Sequence, residues 1–125
     1  MRLARDEGNA TVEFALVAPL LLAVALAVLQ IALALHLRAT ITAAAAEGAR
    51  AAALSGADLW AGERRTRDLL TGNIASDVVE TIEVHRELHD GALVVVVEVD
   101  ARLPLIGLLG PSLMHVSGHA LAERA

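Results

Sequence analysis

GNATVEFALVAPLLLAVALAVLQIALAL, residues 8–35, is the stretch on which the reading of this chain turns. Residues 14–35 are 22 positions without a formal charge, and Gln30 is their one polar side chain. A helix needs about 20 apolar residues to cross the hydrocarbon of a bilayer. The stretch therefore predicts a membrane-spanning helix, and the remainder of the chain is expected to hang from it.

Glu13 stands at the start of that run. An ionised carboxylate costs roughly 2.5–3.5 kcal/mol at mid-membrane and less toward the interface, so a plain anchor gains nothing from it, and intramembrane carboxylates usually have a partner. Cutting the chain between Gly8 and Asn9 would create one. The new terminal amine would lie four residues from Glu13, about one helical turn, so that amine and carboxylate meet at the same depth within one subunit or between two.

A short polar leader ending in Gly8, an acid at the fifth position after it and an unbroken apolar helix resemble the N-terminal signal of type IV pilins. The string TVEFALVAPLL, residues 11–21, is similar to the opening of TadE-like proteins, minor pseudopilins of the tight adherence (Flp) pilus systems. That resemblance implies cleavage between Gly8 and Asn9 by a prepilin peptidase, with Glu13 as the carboxylate that guides subunit assembly. It implies as partners the peptidase, a membrane platform protein, a secretion ATPase acting indirectly, and other pilins. It also implies a pilin-like α+β fold, a long helix packed on a small antiparallel sheet. Asn9 departs from the Phe with which many pilins begin.

Composition agrees with one membrane helix and one small domain. The chain has 125 residues, is 56% hydrophobic and has a mean hydropathy of +0.59, above what soluble domains show. From residue 36 onward eight Arg face 12 acids, a balance that gives a nucleic-acid partner no electrostatic support. There is no Cys, so the domain must hold together by packing or assembly. Two Arg in the leader, Arg2 and Arg5, against Arg38 and Arg50 beyond the run favour a cytoplasmic N-terminus by a small margin, with the C-terminal domain extracytoplasmic. A secretory signal peptide is the competing reading, with Ala43-Ala44-Ala45 as its small-residue site. Its apolar core normally runs only about 7–15 residues.

Pro19 is tolerable in a membrane helix and predicts a kink. The expected organisation is a leader over 1–8, a spanning and stem helix over 9–55, and a small domain over 56–125. The stem is rich in Ala, the best helix former. Ile41, Ala45, Gly48 and Ala52 recur at helical spacing, a stripe against which another helix or a sheet can approach closely. Asp58 is placed to cap a second helix running to about Leu70, with Trp60, Leu69 and Leu70 packing inward and Gly72-Asn73 ending it. Arg64, Arg65 and Arg67 read as its solvated side.

A hairpin is expected over 79–103. Ile82, Val84 and Leu88 alternate with Glu83, His85, Glu87 and His89, and Asp90-Gly91 is a strong two-residue turn signal. With that turn, Leu88 faces Leu93, Arg86 faces Val95, Val84 faces Val97 and Ile82 faces Val99. One register then gathers the apolar row on one face, and the stem helix is its expected cover. Residues 105–114 form an apolar connection that lies near the membrane or folds over the core. A third strand is expected over 115–123, since two strands alone are marginal.

The residues offer little for catalysis. His85 and His89 share a face, as do His115 and His119. Two strand residues four apart lie about 13 Å from one another, too far for one metal, and a shared site would need His119 beside His85. Nucleophile motifs, phosphate loops and dinucleotide fingerprints are missing, and one Trp, one Phe and no Tyr make no stacking platform. The expectation is a structural protein without metal or cofactor. Two other readings have distinct signatures: an uncleaved, membrane-anchored envelope binding module would retain residues 1–8, and a metal-dependent envelope enzyme would carry bound zinc.

Overall fold

The computed structural model describes residues 2–54, 56–74, 77–103 and 112–123. Five elements follow one another: α1 (Arg2–Ala53), α2 (Leu59–Asn73), β1 (Val79–His89), β2 (Ala92–Leu103) and β3 (Ser112–Leu121). The arrangement is α+β, a long N-terminal helix with a three-stranded antiparallel sheet in the order β1-β2-β3. The chain divides into two compact units, Met1–Leu33 and Ala34–Ala125.

The first unit is helix alone. It is helical through Pro19, and its large apolar side chains are exposed, Phe14 by 73% and Leu20 by 64%. A lone helix that displays its hydrophobic residues to the surroundings fits lipid and not water as its solvent.

In the second unit α1 continues to Ala53 and lies on the sheet. Ile41, Ala45, Gly48 and Ala52, the expected small-residue stripe, are all buried, together with Leu37, Ala44, Ala49 and Ala53. This spacing of three, four and one is the inward face of an α-helix. Against it the sheet turns Val95, Val97, Val99, Ala101, Met114 and Val116. The contacts are short because two glycines permit them. A β-carbon on Gly118 of β3 would stand 2.4 Å from the Ala46 nitrogen. One on Gly48 would stand 2.8 Å from the Gly62 carbonyl oxygen of α2.

Asp58 caps α2 as expected, its carboxylate accepting from the Ala61 amide at 2.8 Å. The far end differs from expectation. Gly72 and Asn73 are both helical, Ile74 after them is extended and not left-handed, and its amide donates to the Leu70 carbonyl at 2.8 Å. Ile74 turns straight into extended backbone and packs on the core, which fixes the exit without a glycine cap. Leu70 is buried and Leu69 partly so, whereas Trp60 is 64% exposed, not packed inward.

The hairpin has the expected register, with Leu88 opposite Leu93, Arg86 opposite Val95, Val84 opposite Val97 and Ile82 opposite Val99. Asp90 (φ 50°) and Gly91 (φ 81°) both take the left-handed conformation that a tight hairpin turn requires. Two details depart from the simple alternation. Leu88 is 76% exposed and Leu93 45%, because α1 stops at Ala53, which packs with Val95, one inward-facing rung short of them. Val94 and Val96 are buried although they lie on the opposite face. Each belongs to the central strand, flanked by Glu87 and Leu121 in one case and by His85 and His119 in the other.

The third strand begins at Ser112, three residues earlier than expected, since β2 extends to Leu103 and Leu103 pairs with Ser112. Ser112 to Met114 therefore belong to β3 and not to the connection. The rest of that expected connection, residues 105–111, lies outside the described residues.

Candidate functional site

The residues singled out near the N-terminus all lie on α1. Gly8, Asn9 and Glu13 are helical and exposed, and a β-carbon on Gly8 would meet nothing within 4 Å. The Thr11 hydroxyl donates to the Glu7 carbonyl at 3.0 Å, bridging the Gly8-Asn9 bond from one side to the other. Asn9 and Glu13 are four apart on the helix and so share a face, with about 5–6 Å between β-carbons at such spacing. Glu13 makes no ion pair with another described residue.

The arginines of α2 are engaged locally. Arg67 pairs with Glu63 at 2.9 Å, Arg65 with Glu47 at 3.7 Å and Arg64 with Asp58 at 3.9 Å. All are solvent-facing pairs of the kind worth about 0–1 kcal/mol. Beside them an open groove of 610 Å³ runs between the stem of α1 and α2, with His36, Glu47 and Arg65 as its titratable groups. Two of these three are already paired with one another.

The sheet face away from α1 holds the histidines. His85 and His119 both pair with Val96 from opposite sides, so the central strand separates them. Among the described residues there is no group of three His, Asp or Glu side chains that could hold a metal ion. His115 instead meets Asp100, Nδ1 to Oδ1 at 2.7 Å, while the Thr81 hydroxyl donates to the other Asp100 oxygen at 3.0 Å. The hydrogen bond from His115 and that from Thr81 hold the Asp100 carboxyl below its ordinary range. The same Asp100 bond, with the nearby charges of Glu98 and Glu83, raises His115. This trio was not read from the sequence, because it joins three strands. Its hydroxyl donates to the carboxylate and not to the imidazole, so it does not activate a nucleophile.

Fold and geometry together define a class: a small α+β domain carried on one helix long and apolar enough to cross a membrane, spanning Glu7–Ala53. Within that class, residues 8–50 match the model of the family described as TadE-like protein. The resemblance read in residues 11–21 thus extends from Gly8 to the last turn of α1, 43 of the 125 residues. The match leaves α2 and the sheet outside it. No curated protein and no solved structure matches this chain.

Proposed function

We propose that this chain is a TadE-like pseudopilin that serves assembly of a Flp-type pilus. In this reading residues 14–35 cross the cell membrane with the N-terminus in the cytoplasm and the domain over 56–125 outside. A prepilin peptidase removes residues 1–8, and the mature subunit associates with an assembly platform and other pilins. The observation that carries the reading is the family match over residues 8–50, which contains the scissile Gly8-Asn9 bond, the acid and the apolar run together.

The chemistry follows from Glu13. Before cleavage the carboxylate sits at the bilayer edge, and no described side chain forms an ion pair with it. Cleavage exposes the Asn9 ammonium, whose ordinary pKa of about 7.7–8.0 keeps most of it charged at neutral pH. In a low-dielectric setting two opposite charges attract far more strongly than in water. The Glu13 carboxylate of one subunit is therefore drawn to the Asn9 ammonium of a neighbour, and their shared depth sets the axial register between helices during extraction from the bilayer.

N-terminal sequencing of the protein extracted from membranes tests the first step, with Asn9 the expected first residue. Finding Met1 retained would favour an anchored envelope binding module instead. Glu13→Gln tests the second step: insertion and cleavage are expected to persist while pilus assembly falls, and normal piliation would remove the proposed role.

A further inference from the structure

The sheet face that carries α1 runs farther than the helix that covers it. Ala53, the last residue of α1, packs with Val95, and its carbonyl accepts from the Glu123 amide at 2.8 Å. One inward-facing rung beyond, Leu88 is opposite Leu93, whose carbonyl accepts from the Ala122 amide at 2.9 Å. Leu54 follows Ala53 directly and so flanks this rung. Leu88, Leu54 and Leu93 are 76%, 56% and 45% exposed, and together they make one apolar patch within the second unit. Apolar side chains grouped at a surface in this way mark interaction sites more often than leucines scattered singly.

The charges beside the patch indicate what covers it. Along β1 and its turn the alternate residues Arg86, Leu88 and Asp90 form a row of cation, leucine and anion. Arg86 is opposite the inward-facing Val95 and so lies on the same face as Leu88. Its guanidinium donates to the Ala57 carbonyl at 3.3 Å and pairs with no carboxylate among the described residues. The Asp90 side chain is 97% exposed at the hairpin turn, with the His89 ring 3.8 Å away. Arg86 and Asp90 are each two residues from Leu88, about 6–7 Å along extended backbone. Turned end for end about Leu88, the row sets an anion against the cation and a cation against the anion.

We propose that the patch is covered by a second copy of this chain, related by a two-fold axis through Leu88. Leu88 of one copy then meets Leu88 of the other, Arg86 of each pairs with Asp90 of the other, and Leu54 and Leu93 close the sides. A two-fold interface requires this self-complementarity, since the same patch serves both subunits. A partner carrying one sign of charge would satisfy one end of the row and repel the other. Three leucines on each side make a contact below about 1,200 Å² in total, the size of weak and reversible complexes. The contact is made by the second unit and holds whether or not residues 1–8 are removed.

Sedimentation of the full chain in detergent micelles tests this. Wild type is expected to show a reversible monomer–dimer equilibrium, and Leu88→Asp to weaken it about tenfold or more, because a carboxylate would be buried against its own copy. Leu121→Asp is the control: Leu121 is 70% exposed on the opposite face of the sheet and should leave the equilibrium unchanged. Arg86→Glu and Asp90→Lys should each weaken association, and an equimolar mixture of the two should restore it, since every charge then meets its opposite across the axis. The chain has no native Cys, so Leu88→Cys should oxidise readily to a disulfide-linked dimer while Leu121→Cys does not. A wild type that stays monomeric at about 1 mM, where contacts of this class are populated, overturns the proposal. So does a dimer indifferent to Leu88→Asp, which another surface such as the apolar helix would then hold. A mixture that associates no better than its components, or no preference for Leu88→Cys over Leu121→Cys in cross-linking, overturns it as well.

Discussion

Gly118 on β3 meets Ala46 on α1 backbone to backbone: a β-carbon added at Gly118 would stand 2.4 Å from the Ala46 nitrogen and 2.5 Å from the Ala45 carbonyl carbon. Neither atom is the tip of a movable side chain. Gly118→Ala must therefore push the helix off the sheet or bend the strand, and overpacking of this sort costs about 1–3 kcal/mol. Thermal unfolding of the full chain in detergent, followed by circular dichroism, is expected to show a lower midpoint for Gly118→Ala and a still lower one for Gly118→Val. An unchanged midpoint for both would mean that the stem does not press on the sheet here.

The crossing of α1 and α2 is as tight. A β-carbon on Gly48 would fall 1.8 Å from the Thr66 hydroxyl and 2.8 Å from the Gly62 carbonyl. Thr66 is fully buried, its hydroxyl donating to Gly62 at 2.9 Å. Gly48→Ala is expected to destabilise the domain by about 1–3 kcal/mol. Adding Thr66→Ala should recover part of the loss, because the hydroxyl is then gone but the Gly62 carbonyl remains. A double-mutant cycle in chemical denaturation measures that coupling. Strict additivity would argue against the contact.

Much of this architecture could be read in the sequence because it depends on local periodicity. The hairpin register followed from Asp90-Gly91 and alternating residues, and the buried stripe of α1 from Ile41, Ala45, Gly48 and Ala52. What escaped depends on which elements meet. Gly62 and Thr66 look unremarkable along α2 and matter only because Gly48 crosses them. Burial of Val94 and Val96 required knowing that β2 is the central strand, and exposure of Leu88 required knowing where α1 stops. The Asp100–His115 pair spans 15 residues and needs the β2–β3 register. At the N-terminus the spacing of Gly8, Asn9 and Glu13 is visible in the sequence, and the cleavage and assembly roles proposed for them await the experiments given above.

The hairpin turn offers a cleaner local measurement. Asp90 and Gly91 both have positive φ, which costs an L-residue without a compensating side chain about 1–2 kcal/mol. Gly91→Ala is expected to lose about 1 kcal/mol and Gly91→Val more, while Asp90→Asn should be near neutral. A β-carbon added at Gly91 would meet nothing within 4 Å, so the loss there reports backbone conformation alone. Equilibrium unfolding of the three variants would show it, and a fully tolerated Gly91→Val would argue for a different turn.

The Asp100–His115 pair makes stability depend on pH with a definite sign. His115 is raised above its ordinary 6.5 by its bond to Asp100, so its contribution is complete below about 6.5 and fades as pH climbs through the higher folded value. Asp100 is lowered from 3.8, first by the His115 bond and then by that from Thr81, so its contribution is present above about 3.8 and lost as pH falls through the lower folded value. The pair acts at full strength between those two limits. Both side chains are solvent-facing, so the stabilisation is modest and screened by salt. Nuclear magnetic resonance of the His115 ring in the micelle-bound full chain should place its midpoint above 6.5, and Asp100→Asn should return it toward 6.5. The difference in melting midpoint between wild type and Asp100→Asn should be greatest from about pH 4 to 6.5 and shrink at alkaline pH. A His115 midpoint at or below 6.5 in the wild type would show that the imidazole and the carboxylate do not engage in solution, and that strands β2 and β3 are joined there by their backbone ladder alone.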